Sequence, residues 1–212
     1  IFLRVHSGIS IHPNDGDDTD TLLKGARLAL YATRPETGST LAFYAPALNT
    51  AAQEHRRIEQ ALHHAIEREE LRLHYQPVVN VATREIVGLE ALLRWHSRDL
   101  GPVSPATFIP VAEETGLIVP IGEWVLETAC RQAVRWRAAG LRGVRIAVNV
   151  SVKQLHQPDF LERVPAIWEA AGIGGDPALL ALEVTESALM DSIQASIAVL
   201  TALQEQGAAI YV

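Results

Sequence analysis

Downstream of Leu71 the hydrophobic period of this chain switches from four to two, and from there strand-period and helix-period runs take turns to the end. That alternation constrains the fold more than any other feature. Just before the switch, in AQEHRRIEQALHHAIEREE, Ile58, Leu62 and Ile66 recur every four residues on an otherwise polar stretch, which predicts a connecting helix. After it, Leu71, Leu73 and Tyr75 alternate with polar neighbours. Strands are expected in LRLHYQPVV, EIVGLEALLRW, VRIAVNVSV, LLALEVTE and AAIYV. Helices are expected in IGEWVLETACRQAVRWRAAG, DFLERVPAIWEAAG and DSIQASIAVLTALQEQG, which close on Gly140, Gly172 and Gly207; a helix C-terminus favours glycine there because it tolerates the left-handed backbone. Repeated strand-then-helix order with apolar strands predicts an α/β fold on a parallel sheet, open or closed into a barrel.

Within the second strand, the stretch VGLEALLRWH places a carboxylate and a guanidinium in an apolar run. Side chains of a strand alternate between two faces, so Val87, Leu89, Ala91, Leu93 and Trp95 share one, and Gly88, Glu90, Leu92 and Arg94 share the other. In a barrel the face turned away from the helices looks into the lumen, and reactive groups gather toward the C-terminal strand ends. The same parity sets Asn149 opposite Val148 and Val150, and Glu183 opposite Leu182 and Val184. Three successive strands thus each offer one oxygen donor to the same side, the donor type preferred by hard cations such as Mg²⁺ or Mn²⁺. Taken singly, each is better explained as a polar residue satisfying a strand end or capping a helix; the coincidence of three carries the metal reading. Arg94 lies about 13 Å of extended chain from Glu90, further up the lumen, where its planar fork of donors suits an oxyanion such as phosphate. Gln76 either orients a ligand or ends its strand before Pro77.

The chain of 212 residues carries a formal net charge of −7, which argues against a long nucleic-acid polymer as partner but leaves a small anion open to a few local arginines. No run approaches the roughly 18 apolar residues of a membrane span, and IFLRVHSGIS lacks the basic start and apolar length of a signal peptide. The lone Cys130 has no partner for a disulfide and reads as a buried small hydrophobe. Adjacent on a helix, His63 and His64 point in different directions and suit a solvated face rather than a metal. Arg131, Arg135 and Arg137 are expected to coat a helix exterior, and the four tryptophans to fill core or rim. At the other end, RVHSGISIHPNDGDD reads as a strand and a turn, and DTDTLLKGARLALYAT as a helix with Leu22, Leu23, Ala26, Ala29 and Leu30 on one side, so the chain is expected to begin in mid-domain.

Residues 74 to 211 resemble the N-terminal part of the EAL domain, a family of cyclic di-GMP phosphodiesterases built on a TIM-like barrel. The words YQPVVN, GLEALLRW, FIPVAEETGLI, IGEWVLETAC, VNVSVKQL and LEVTES stand in the family's order and spacing. The resemblance implies that Glu90, Asn149 and Glu183 are ligands of a two-metal Mg²⁺ or Mn²⁺ site, that Gln76 and Arg94 contact substrate, and that Glu186 braces a loop near the site, although parity sets Glu186 on the opposite face from Glu183. It further implies cyclic di-GMP as ligand, a homodimer formed through the EAL domain, and a cytoplasmic location, with room for an upstream anchor in a longer parent. Residues 1 to about 45 look like the tail of a GGDEF domain, through GISIHP, DG, LLKGARLALY and the following FY. Arg27 and Thr33-Arg34 depart from that family's pattern and argue against cyclase activity; Ser97-Arg98 replaces a common His-Pro pair of the EAL family and affects a loop.

The resulting domain expectation is a GGDEF-like remnant over 1–50, a connecting helix over 51–70 and the first part of an EAL barrel over 71–212. About five strands are present where a closed barrel needs eight. The chain alone is therefore expected to be loosely packed and inactive, with no catalytic residue inside it. The family places an Asp-Asp pair, opening an Asp-Asp-Phe-Gly-Thr-Gly loop, directly after Val212, and a Lys and a further Glu beyond. The alternative function is a degenerate EAL module that binds cyclic di-GMP without hydrolysis.

Overall fold

The structure is a computed structural model and describes residues 5–32, 40–141, 143–184 and 193–211. Two compact units divide the chain, 1–60 and 61–212.

In the first unit, β1 (His6–Ile9) and β2 (Thr40–Phe43) pair in parallel, with α1 (Thr19–Tyr31) between them in sequence. Asp18 caps α1: its carboxylate accepts from the Thr21 amide at 2.9 Å and from the Thr21 hydroxyl at 2.6 Å. Those bonds hold the Asp18 carboxyl below its ordinary pKa, the hydroxyl contributing most. Gly8 is glycine for want of space, since a Cβ there would meet backbone of Ala26 and Leu30 on α1. The following helix α2 (Pro46–Leu62) stops short of the expected Glu70. Beyond Leu62 the chain tightens, the His64 N–H donating a hydrogen bond to the Ala61 carbonyl and the Ala65 N–H to the Leu62 carbonyl, and Glu69 takes the left-handed backbone at φ 54°. The periodicity of Ile66 continues, but the helical geometry does not.

The second unit runs β3 (Leu71–Val79), β4 (Ile86–Ser97), β5 (Gly101–Val103), α3 (Pro105–Thr115), α4 (Ile118–Ala138), β6 (Arg145–Asn149), α5 (Val152–Leu155), α6 (Phe160–Ala171), β7 (Leu180–Glu183), α7 (Ile193–Glu205) and β8 (Ala209–Tyr211). Its sheet has the order β3-β4-β6-β7-β8, with β5 paired to β4. The pairings β4–β6, β6–β7 and β7–β8 are parallel. The first pair departs from the all-parallel expectation: β3 and β4 are antiparallel, because the loop between Val79 and Ile86 is too short for a crossover. The short β5 hairpin and helix α3 were not expected either; Pro110 inside α3 obscures its helical pattern. Gly140 and Gly172 take left-handed backbone just beyond α4 and α6, and Gly207 just beyond α7, as their positions predict.

One face of this sheet packs against the helices. Ile146, Val148, Leu180 and Leu182 are at most 1% exposed, and α4 buries Ile121, Val125, Leu126, Ala129, Cys130 and Ala133. Two edge-to-face ring pairs join sheet to helices: Tyr75 with Trp136 at 4.7 Å, and Trp95 with Phe108 at 5.5 Å. Burial pushes the Tyr75 phenol and the Cys130 thiol each up to about 12, which leaves the thiol unreactive. The helix cover does not reach Val87, which is 49% exposed, so the expected apolar face of β4 is half-buried at Leu89 and Leu93 and fully buried only at Ala91 and Trp95. No described helix is long and apolar enough to cross a membrane.

Candidate active site

The register of the ladder decides which side chains share the face turned away from the helices. Residues paired across a sheet point to the same side. Glu90 of β4 is paired with Gln76 of β3 on one flank and with Ala147 of β6 on the other. Asn149 is paired with Glu183, and Glu183 with Tyr211. Gln76, Glu90, Asn149 and Glu183 therefore lie together on one face, Gln76 and Glu90 level with Ala147, Ala181 and Ala209, and Asn149 and Glu183 one step beyond that row.

The strands end here for local reasons. Directly after Asn149, Ser151 opens α5 with a capping box: its hydroxyl accepts from the Gln154 amide at 3.3 Å, and the Gln154 side chain accepts from the Ser151 amide at 3.1 Å. The ladder is prolonged past the strand ends by Val150 donating to the Glu183 carbonyl at 2.9 Å and Val184 donating to the Tyr211 carbonyl at 3.0 Å. Asn149, Glu183 and Tyr211 are thus held level, at the C-terminal edge of the parallel strands.

Within the cluster, Asn149 Nδ2 donates to Glu90 Oε1 at 2.9 Å. That bond turns the amide oxygen of Asn149 away from Glu90 and leaves it available. Partial burial, and then the nearby Glu90 carboxylate, raise the Glu183 carboxyl above its ordinary pKa. Two carboxylates that repel each other beside an amide oxygen form a donor set for a hard divalent cation, which would offset the repulsion. The residues fit such a group; they include no sulfur or imidazole donor, and among the described residues no cluster of three or more His, Cys, Asp or Glu forms.

Arg94 sits on the same face two residues beyond Leu92, and its cross-strand partner is Arg72. Like charges directly opposite in an antiparallel pair repel. The Arg94 Nη1 donates to the Leu93 carbonyl at 2.9 Å, while Arg72 Nη1 donates to the carbonyls of Glu69 and Leu71 at 2.7 and 2.8 Å. Among the described residues neither guanidinium is ion-paired with a carboxylate, unlike Arg68, Arg98, Arg131, Arg137 and Arg163. Arg72 and Tyr211 escaped the sequence reading because parity within one strand does not reveal which residue of the next strand lies alongside it. Glu186 lies outside the described residues. His63, His64, Arg131, Arg135 and Arg137 are exposed and lie away from this face, His64 pairing with Glu67 at 3.5 Å.

A mixed α/β sheet that gathers carboxylates and an amide at the C-terminal edge of its parallel strands, beside an arginine with no carboxylate partner among the described residues, defines a class of α/β domains whose functional groups stand at the strand ends. The chain belongs to the EAL domain family, whose model matches residues 59–212. It is 38% identical over 203 residues to the bifunctional diguanylate cyclase/cyclic di-GMP phosphodiesterase MucR of Pseudomonas aeruginosa, covering 96% of this chain and 29% of that protein. It is 36% identical over 200 residues to the cyclic di-GMP phosphodiesterase NbdA of the same organism, covering 94% of this chain and 25% of that protein. The solved structure of the PaMucR phosphodiesterase in its c-di-GMP complex superimposes with a TM-score of 0.69 at 41% identity, over 73% of this chain and 62% of that one. This chain therefore spans less than a third of the length of these curated relatives.

Proposed function

We propose that this chain is part of a metal-dependent phosphodiesterase that hydrolyses cyclic di-GMP to the linear dinucleotide. The observation that carries the reading is the convergence of Glu90, Asn149 and Glu183 from three adjacent strands onto one face, beside Arg94. The relatives named for this activity support it. In this reading residues 71–212 are the first part of a TIM-like barrel, residues 51–70 connect, and residues 1–50 are the remnant of a GGDEF-like domain; the match to MucR, named also as a diguanylate cyclase, extends over 96% of the chain and supports the last assignment.

Glu90, Glu183 and the Asn149 amide oxygen would hold Mg²⁺ or Mn²⁺, which when bound activates water and stabilises the attacking and leaving oxygens of a phosphodiester. The protein's own groups then do the remaining work. Asn149, by donating to Glu90, fixes the carboxylate's orientation. Arg94 grips phosphate oxygens through charge-assisted hydrogen bonds. Gln76, paired across from Glu90, orients the substrate on the β3 side.

The test uses the full-length protein with Mg²⁺ or Mn²⁺. Glu90→Ala is expected to abolish hydrolysis, whereas Arg94→Ala is expected chiefly to raise KM, by the ~1.5–3 kcal/mol of a lost charged hydrogen bond. Unchanged turnover in Glu90→Ala would remove that residue from the site. Binding of cyclic di-GMP by the unsubstituted protein without any metal-dependent hydrolysis would make it a receptor instead.

A further inference from the structure

We infer that Arg72 is a substrate-binding residue: with Arg94 it forms a two-guanidinium clamp on the phosphodiester of the nucleotide that is not being cleaved. The assignment rests on the phosphodiesterase reading and deepens it. Arg72 and Arg94 are register partners in a ladder that runs unbroken from the Leu71–Trp95 pair to the Val78–Gly88 pair. The pairing is thus set by the β3–β4 hairpin itself, whatever lies beside it. Residues paired in this way share a face, with Cβ atoms about 5 Å apart. The same face carries the Gln76–Glu90 pair, four residues along both strands.

Two cations set opposite each other destabilise the hairpin unless something negative lies between them. The neighbouring carboxylates are engaged elsewhere: Asp99 pairs with Arg68 at 3.0 Å, Glu70 accepts from Trp95 and Arg98, and Glu67 pairs with His64. What Glu69 offers Arg72 is its backbone carbonyl. The bonds to carbonyls engage Nη1 of each guanidinium and neutralise neither charge. A guanidinium carries five N–H donors in a planar fork, a shape that two oxygens of a phosphate match. Two such forks facing each other fit one bridging oxyanion.

The proposed substrate supplies that anion. Four residues of extended strand set the backbone of the arginine pair about 13 Å along the face from that of Glu90, and the long arginine side chains can lean back over part of that span. Cyclic di-GMP has two phosphodiesters. With one on the oxygen donors of Glu90, Asn149 and Glu183, the other is left to the arginines. A clamp on the phosphate that does not react holds ground state and transition state alike, so it adds to affinity and not to turnover.

The experiment compares full-length protein with Arg72→Ala, Arg72→Lys and Arg72→Glu. It reads KM and kcat for cyclic di-GMP with Mg²⁺ or Mn²⁺, and the melting temperature without nucleotide. Arg72→Ala is expected to raise KM about tenfold or more, as the loss of a charge-assisted hydrogen bond does, with kcat kept within about twofold. Arg72→Lys keeps the charge without the fork and is expected to raise KM less. Arg72→Glu is expected to raise KM most and, by turning the repulsion from Arg94 into an ion pair, to melt no lower than the unsubstituted protein. An unchanged KM in Arg72→Ala would overturn the assignment, as would a fall in kcat at unchanged KM. A rise in KM accompanied by a lowered melting temperature in both Arg72→Ala and Arg72→Glu would also overturn it, since the arginine would then be held by a carboxylate of the protein. These outcomes leave the phosphodiesterase reading standing. Failure of the unsubstituted protein to bind or hydrolyse cyclic di-GMP would overturn that reading and this assignment with it; if it binds without turnover, the same variants are compared by dissociation constant.

Discussion

Glu70 is a carboxylate only 5% exposed at the entrance to β3, and two donors account for it: the Trp95 indole at 3.0 Å and the Arg98 amide at 3.1 Å. Removing it strands the indole N–H of a tryptophan that is itself 2% exposed. Glu70→Ala is expected to destabilise the fold by about 1–3 kcal/mol, the cost of an unsatisfied buried donor, and Glu70→Gln by less, because its amide oxygen still accepts from the indole. Urea unfolding measures both. Glu183 behaves in the opposite sense. Its carboxyl is raised in the folded state by partial burial and by Glu90, so the fold favours the protonated form. The stability this confers is present below the ordinary carboxylate pKa and is lost as pH rises through the folded one. Glu183→Gln is accordingly expected to melt above the unsubstituted protein at neutral pH in the absence of divalent cation, with the difference disappearing in acid. A difference that grew on acidification would contradict the stated cause.

At the scale of elements, the approach of α4 to α5 depends on Gly122, where a Cβ would collide with the side chain of Gln154. Gln154 is 3% exposed and completes the capping box with Ser151, so it has little room to yield. Gly122→Ala is expected to cost about 1–3 kcal/mol by overpacking, and Ser151→Ala about 1 kcal/mol by loss of the cap. Both are checked by chemical denaturation. The same elements mark how far the sequence could be read. Period-two alternation was enough to put Glu90, Asn149 and Glu183 on one face, because in a strand parity alone decides the side. Strand direction was not legible from that pattern, and β3 turned out antiparallel because its connection to β4 is a tight loop. Register was not legible either, so the Asn149–Glu90 hydrogen bond and the placement of Arg72 and Tyr211 needed coordinates. Helix α3 was hidden by Pro110, and the end of α2 by an apolar period that outlasts the helix.

For the molecule as a whole, the mutual repulsion of Glu90 and Glu183 is a stability deficit that a cation held between them would remove. Divalent metal that binds only the folded state is expected to stabilise it with the logarithm of metal concentration, by about 2.7 kcal/mol at a hundred times its dissociation constant, and to raise the melting temperature accordingly. Glu90→Gln is expected to abolish most of that rise. A rise of the same size in the variant would place the cation elsewhere. The antiparallel start of the sheet bears on a different property. Because β3 runs against β4, Leu71 lies beside Trp95, near the end of the face that carries Arg94. Had β3 been parallel, the chain would have entered from the far side. As built, residues 63–70 arrive at the mouth of the site, and Glu70 fastens them to Trp95 and to the amide of Arg98. The lead-in to the sheet is therefore tied, through Glu70, to the same strand end that holds Arg94, with no part of the sheet between them.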